Sequence, residues 1–161
     1  MTSRRLAILV AVAVVGGAVV AGVGLATQGS SKPRRVLQVD EVSGRVGRVV
    51  LGETGANVTG VLGRPRVAPG GSFVYAHLTI GFRAGRVTSI ETDDPSAETE
   101  KAVGVGQPIS AARASYRKAA DCVPNSPDKT AKHPHCRIEV PAGWLLIAGD
   151  PIKTMTLSRT R

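Results

Sequence analysis

The chain has 161 residues, 42% of them apolar and only 3% aromatic, with a formal charge of +9. One domain or two tightly packed half-domains can form at this length, with a core of Val, Ile, Leu and Ala. Beyond residue 31 there are 19 basic and 12 acidic side chains, leaving +7. Most of the positives are arginines scattered singly among Gly, Ala and Val, a pattern that a GC-rich genome produces by itself. Nucleic acid is therefore not expected as a partner.

Arg4 and Arg5 precede an uncharged apolar stretch from Leu6 to Ala26. About 20 apolar residues span the hydrocarbon layer of a bilayer, whereas a secretory h-region runs to about 15. The stretch therefore reads as a single-pass transmembrane helix, with residues 1–30 as cytoplasmic tip and anchor and the C-terminal body outside the cell membrane. Gly24-Leu25-Ala26 also suits a signal peptidase, and cleavage after Ala26 would secrete the body. Residues 31–44 read as a linker, within which Val36 to Asp40 is either a first strand or more linker.

Two stretches of the body share a phrase. Val50-Leu51-Gly52-Glu53-Thr54 leads into a short helical run ending Leu62-Gly63-Arg64-Pro65. Val103-Gly104-Val105-Gly106-Gln107-Pro108 leads into a second run through Tyr116, with an apolar stripe up to about Ala120. An offset of 54 places Gly52 on Gly106, Val58 on Ala112 and Leu62 on Tyr116. Thr54 suits an N-cap, Gly63 a C′ position, and Pro65 prevents continuation. Phe73 to Phe82 alternates like one long half-buried strand, and Arg86 to Thr92 returns from it as a hairpin. Glu91 to Glu100 reads as an acidic connector. Arg137 to Val140, Trp144 to Ala148 and Ile152 to Leu157 read as three further strands. There the offset is 65, which puts an eleven-residue insertion in the loop between the cysteines. The expected fold class is α+β: an N-terminal transmembrane helix, then two units (45–95 and 96–161), each a short helix on an antiparallel sheet.

Cys122 and Cys136 have thirteen residues between them, rich in Pro, Asn, Ser and Asp. In a small exported domain they most simply form one disulfide, worth about 3 kcal/mol for such a loop in the chain-entropy model. Cys122, His133, His135 and Cys136 are all metal-ligand types, but no C-x-x-C or H-x-x-x-H spacing is present, so no metal is expected. No cofactor is expected either. Gly55 to Gly60 has phosphate-loop spacing, yet Val61-Leu62 stands where Lys-Ser/Thr is needed. Ser72 has no evident base beyond His77, and Asp93-Asp94 and Glu98-Glu100 sit in the connector. Nothing assembles a nucleophile, a base and an oxyanion donor, so no enzyme is expected.

With its Leu51-Gly52-Glu53-Thr54 lead, its helix ending Leu62-Gly63-Arg64-Pro65 and its hairpin closing Gly85-Arg86-Val87, the body resembles the BamE (SmpA/OmlA) type of small envelope domain. Two such units in tandem with a disulfide after a helix are also similar to the β-lactamase inhibitor proteins. The resemblance spans about residues 45–157 and implies helices packed on small antiparallel sheets. A lipidated cysteine of the BamE kind and an aromatic-rich concave face of the inhibitor kind are both lacking.

The expected function is an anchored, non-catalytic binding or scaffolding protein of a bacterial envelope. Its surface would be Phe73, Tyr75 and His77 on the sheet, or Lys129, Lys132, His133 and His135 at the disulfide loop. The partner would be an envelope protein, with anionic lipid or cell-wall polymer as the electrostatic options. The alternative is a protein inhibitor of an extracellular hydrolase.

Overall fold

Val, Ile and Leu at alternate positions, broken every few residues by Gly or Pro, favour short strands over helices. The computed structural model describes residues 35–118, 120–123 and 134–159, and strands dominate among them. The chain runs β1 (Leu37–Asp40), β2 (Arg45–Val46), β3 (Val49–Val50), α1 (Gly55–Leu62), β4 (Arg66–Val67) and β5 (Phe73–Val74). It continues through β6 (Leu78–Arg83), β7 (Arg86–Thr92), β8 (Ala97–Thr99) and α2 (Ile109–Ser115). The last four elements are β9 (Ala120–Val123), β10 (His135–Val140), β11 (Gly143–Ala148) and β12 (Thr154–Ser158). They form a four-stranded sheet, β3-β2-β1-β8, and an eight-stranded sheet, β4-β5-β6-β7-β12-β11-β10-β9. The larger sheet is antiparallel throughout; in the smaller one β1 is antiparallel to β2 and parallel to β8.

This architecture corrects the expected α+β class. The described residues are a mostly β body of two sheets with two helices of eight and seven residues. No described helix is long and apolar enough to cross a membrane, and the stretch Leu6–Ala26 lies outside the described residues. Helices this short are marginal in water and are held here by packing, through Val58 of α1 and Ala112 of α2, both fully buried. The second helix stops at Ser115 rather than near Ala120, because Ala120 already belongs to edge strand β9. The linker and connector are also more ordered than expected. Leu37–Asp40 is the strand that joins β2 to β8, and β8 forms inside the acidic connector.

The strand expected over Phe73 to Phe82 is two strands. Tyr75, Ala76 and His77 turn the chain, closed by Tyr75 N–H donating to Leu78 O at 2.8 Å. Phe73 then pairs with Ile80 and Val74 with Thr79. In a continuous strand, residues 73 and 80 would face opposite sides; folding back puts them on one side. Phe73 thereby reaches the core side, where its ring lies 4.5 Å from that of Phe82. Burial of an aromatic ring decides the break.

The two phrases make the same local contacts. Gly52 N–H donates to Val87 O (2.8 Å) and Val87 N–H to Glu53 O (2.9 Å). In the second half, Gly106 N–H donates to Ile152 O (2.8 Å) and Ile152 N–H to Gln107 O (2.8 Å). Gly52 and Gly106 have φ of 93° and 91°, a conformation that favours glycine. Each half then runs helix and four meandering strands, α1–β4–β5–β6–β7 and α2–β9–β10–β11–β12. The halves join through their last strands, β7 against β12, with Leu157 opposite Ile90. One hydrophobic core runs across the join and includes Val39, Val46 and Val49 of the small sheet.

Candidate functional site

The larger sheet has two unlike faces. Ile80, Ile90, Leu157, Leu145 and Ile138 lie in one row and are fully buried. Both helices lie on this side: α2 against β9, β10 and β11, and α1 with Gly55 over the rings of Phe73 and Phe82. On the other side a row runs Thr79, Glu91, Thr156, Leu146, Arg137, Asp121, and a second runs Ser89, Ser158, Trp144, Glu139. Thr79, Glu91, Asp121 and Glu139 are exposed, and Trp144, Leu146 and Arg137 are half-buried. Thr156 Oγ1 donates to Glu91 Oε2 at 3.3 Å.

The expected surface residues do not form one patch. Phe73 is half-buried and packs into the core side. The hydroxyl of half-buried Tyr75 donates to Gly63 O at 3.2 Å, and burial pushes the Tyr75 pKa up. His77 is exposed, with Nδ1 2.9 Å from Asp93 Oδ1. Tyr75 and His77 do come together, beside a shallow groove of about 350 Å³ lined also by Leu37, Leu62, Ala76, Leu78 and Asp94. His135 stands elsewhere, half-buried on β10 between Val123 and Ala148. Five strand spacings separate β5 from β10, roughly 24 Å. Lys129, Lys132 and His133 lie outside the described residues.

The cysteines meet as a disulfide. Cys122 and Cys136 face each other across β9 and β10, with Cα atoms 4.0 Å apart. They line a pocket of about 230 Å³ with Ile109, Ser110, Arg113, Val123 and Asp150. Asp150 Oδ1 accepts the N–H of Ile109 at 3.1 Å. It replaces the side-chain cap that Thr54 gives α1 and that Pro108 cannot give α2. Among the described residues no group of three His, Cys, Asp or Glu is placed to hold a metal.

Acidic groups, of which the sequence singles out only Glu100, gather where β1 ends. Asp40 accepts from the hydroxyl and amide of Ser43 (2.5 and 2.9 Å) and from the amide of Val42 (3.0 Å). These bonds hold its carboxyl at about 2. Loss of water contact and a hydrogen bond to Asp40 push Glu100 up, as do the charges of Asp40 and Glu41. Glu41 is 6% exposed and accepts the hydroxyl of Tyr116, itself 2% exposed. Burial, then that bond, pushes Tyr116 far up, and Lys101 Nζ lies 4.3 Å above its ring. A carboxylate sealed this way cannot meet a substrate. Its role is to tie the end of β1 to the end of α2.

The outer face with Trp144, Leu146 and Arg137 is not among the surfaces the sequence points to, since its pattern marks β11 only as a strand. The signal was present: Trp144, Leu146 and Ala148 alternate with Leu145 and Ile147, so both faces of that strand are apolar. Comparison with known proteins finds no matching family model and no curated protein or solved structure with significant similarity to the chain.

Proposed function

We propose that this protein is a non-catalytic binding or scaffolding module outside the cytoplasmic membrane of a bacterial envelope, with an envelope protein as its partner. The observation that carries the reading is the face of the larger sheet opposite the helices. Its centre has Trp144 and Leu146 beside Arg137, ringed by Thr79, Glu91, Thr156 and Glu139. Protein interfaces favour such a plan, an apolar centre with Trp and Arg inside a polar rim. The disulfide supports an oxidising compartment. The apolar stretch Leu6–Ala26 supports delivery to the membrane or beyond it.

The test is mild crosslinking of the full-length chain in its envelope, co-purification, and mass spectrometry of what is captured. A partner captured by the wild type and lost in Trp144→Ala/Arg137→Ala supports the reading. Equal capture by the variant removes this face from the reading. No capture above a control carrying only residues 1–35 defeats a protein partner altogether.

A further inference from the structure

The turn at Leu51 and Gly52 holds two guanidinium groups on consecutive main-chain carbonyls. Arg159 Nη2 donates to Leu51 O at 3.0 Å, and Arg86 Nη1 to Gly52 O at 3.0 Å. A Cβ on Gly52 would stand 2.4 Å from Arg159 Nη2 and 2.9 Å from its Cζ. The guanidinium therefore fills the space a side chain there would take. The main-chain N–H of Arg159 bonds Thr88 O at 3.0 Å, two residues from Arg86. Arg83 stands opposite Arg86 across the β6–β7 hairpin. Two exposed arginines of the β6–β7 hairpin and the exposed Arg159 after β12 thus lie at one end of the sheet, about the Leu51–Gly52 turn.

Among the described residues no ion pair is recorded for Arg83, Arg86 or Arg159. The ion pairs among the described residues are Arg45–Asp40 and His77–Asp93. Glu53, next along the chain from Gly52, turns Oε2 to the amide of Val50 at 3.3 Å. Each guanidinium has five N–H donors, and each of these carbonyl bonds uses one. Like charges opposed across a strand pair are destabilising, and an anion between them reverses the sign.

We propose that Arg86 and Arg159, with Arg83 at the rim, form a binding site for a phosphate group. Planar forks fixed on neighbouring carbonyls can donate pairwise to different oxygens of a tetrahedral oxyanion. A phosphate ester, at about −1 as a diester and about −1.5 to −2 as a monoester, presents tetrahedrally placed oxygens that fit two guanidinium forks better than the two coplanar oxygens of a carboxylate. The group can come from a free phosphate ester or from an anionic phospholipid headgroup. The site does not depend on the sheet face opposite the helices.

The experiment uses the full chain in neutral detergent micelles and reads the midpoint of thermal unfolding. Inorganic phosphate is titrated against chloride at constant ionic strength; in a parallel arm phosphatidylglycerol replaces phosphatidylcholine in the micelles. The expected result is a saturable rise in midpoint. It weakens about tenfold in apparent affinity in Arg86→Gln, through loss of a charge-assisted fork, and is unchanged in Arg117→Gln, an exposed arginine just beyond α2. A rise with inorganic phosphate assigns free phosphate esters; a rise with phosphatidylglycerol alone assigns the headgroup. Should Arg159→Gln fail to fold for want of its bond to Leu51, Arg83→Gln removes a charge without touching either carbonyl bond. No rise in either arm, or the same rise in the Arg86 and Arg83 variants, overturns the site.

Discussion

Tyr116 and Glu41 lie 75 residues apart and are joined by one hydrogen bond in the core. A buried carboxylate stripped of its donor costs about 1–3 kcal/mol or more. Tyr116→Phe should therefore destabilise the protein by about 2–3 kcal/mol, and Glu41→Gln by less, because an amide oxygen still accepts. Urea unfolding of the two variants checks the order. Asp40 makes a prediction in pH. Its carboxyl is lowered from 3.8 to about 2, first by the Ser43 hydroxyl, then by the amides of Ser43 and Val42. A depressed carboxylate contributes fully above its unfolded value and loses its contribution as pH falls through the folded value. Ser43→Ala should thus cost about 1 kcal/mol at pH 6 and well under half of that at pH 2, where the folded Asp40 carboxyl is half protonated. Urea melts at pH 6, 4 and 2 follow the difference. A cost that stays constant with pH would mean that Ser43 acts through packing rather than through Asp40.

At the scale of elements, Gly52 and Gly106 allow a controlled comparison. Both have positive φ, so alanine at either costs about 1–2 kcal/mol of backbone strain. Around Gly106 nothing lies within 4 Å of an added Cβ, whereas at Gly52 the Arg159 guanidinium must move and lose its bond to Leu51. Gly52→Ala should be costlier than Gly106→Ala by about 1 kcal/mol. In an Arg159→Ala background the two costs should become equal, which a set of chemical melts measures directly. Much of this was legible beforehand, because Gly-x-Thr and Gly-x-Pro before an apolar stripe are turn and helix-start chemistry that needs no distant partner. The strand over Phe73 to Phe82 was not legible. A three-residue turn leaves local alternation intact while exchanging the faces of its two arms, so only the position of Phe82 and α1 reveals the break.

At the scale of the whole molecule, β7 and β12 join the two halves, while the disulfide lies at the sheet's far edge, between β9 and β10. Reduction should lower stability by about 3 kcal/mol in the chain-entropy model. It should also free β9 first, because an edge strand has a partner on one side only. Hydrogen exchange with and without reductant checks this: the amides of β9 should lose protection while those of β11 and β12 keep it.

The sequence by itself determined the features that depend on neighbouring residues. These are the two glycine turns, the two short helices they start, and the pairing of the only two cysteines. The α+β expectation failed for a physical reason. Strands of two to four residues, such as β2, β3, β4 and β8, carry too little pattern to be seen and exist only because a partner lies beside them. Tertiary structure alone decided that the two halves share one sheet and that β1 pairs with β8. It alone brought Arg86 to Arg159 and Tyr116 to Glu41. Each of those contacts joins residues distant in the chain, and a sequence records such a pair only as two separate residues until the backbone brings them together.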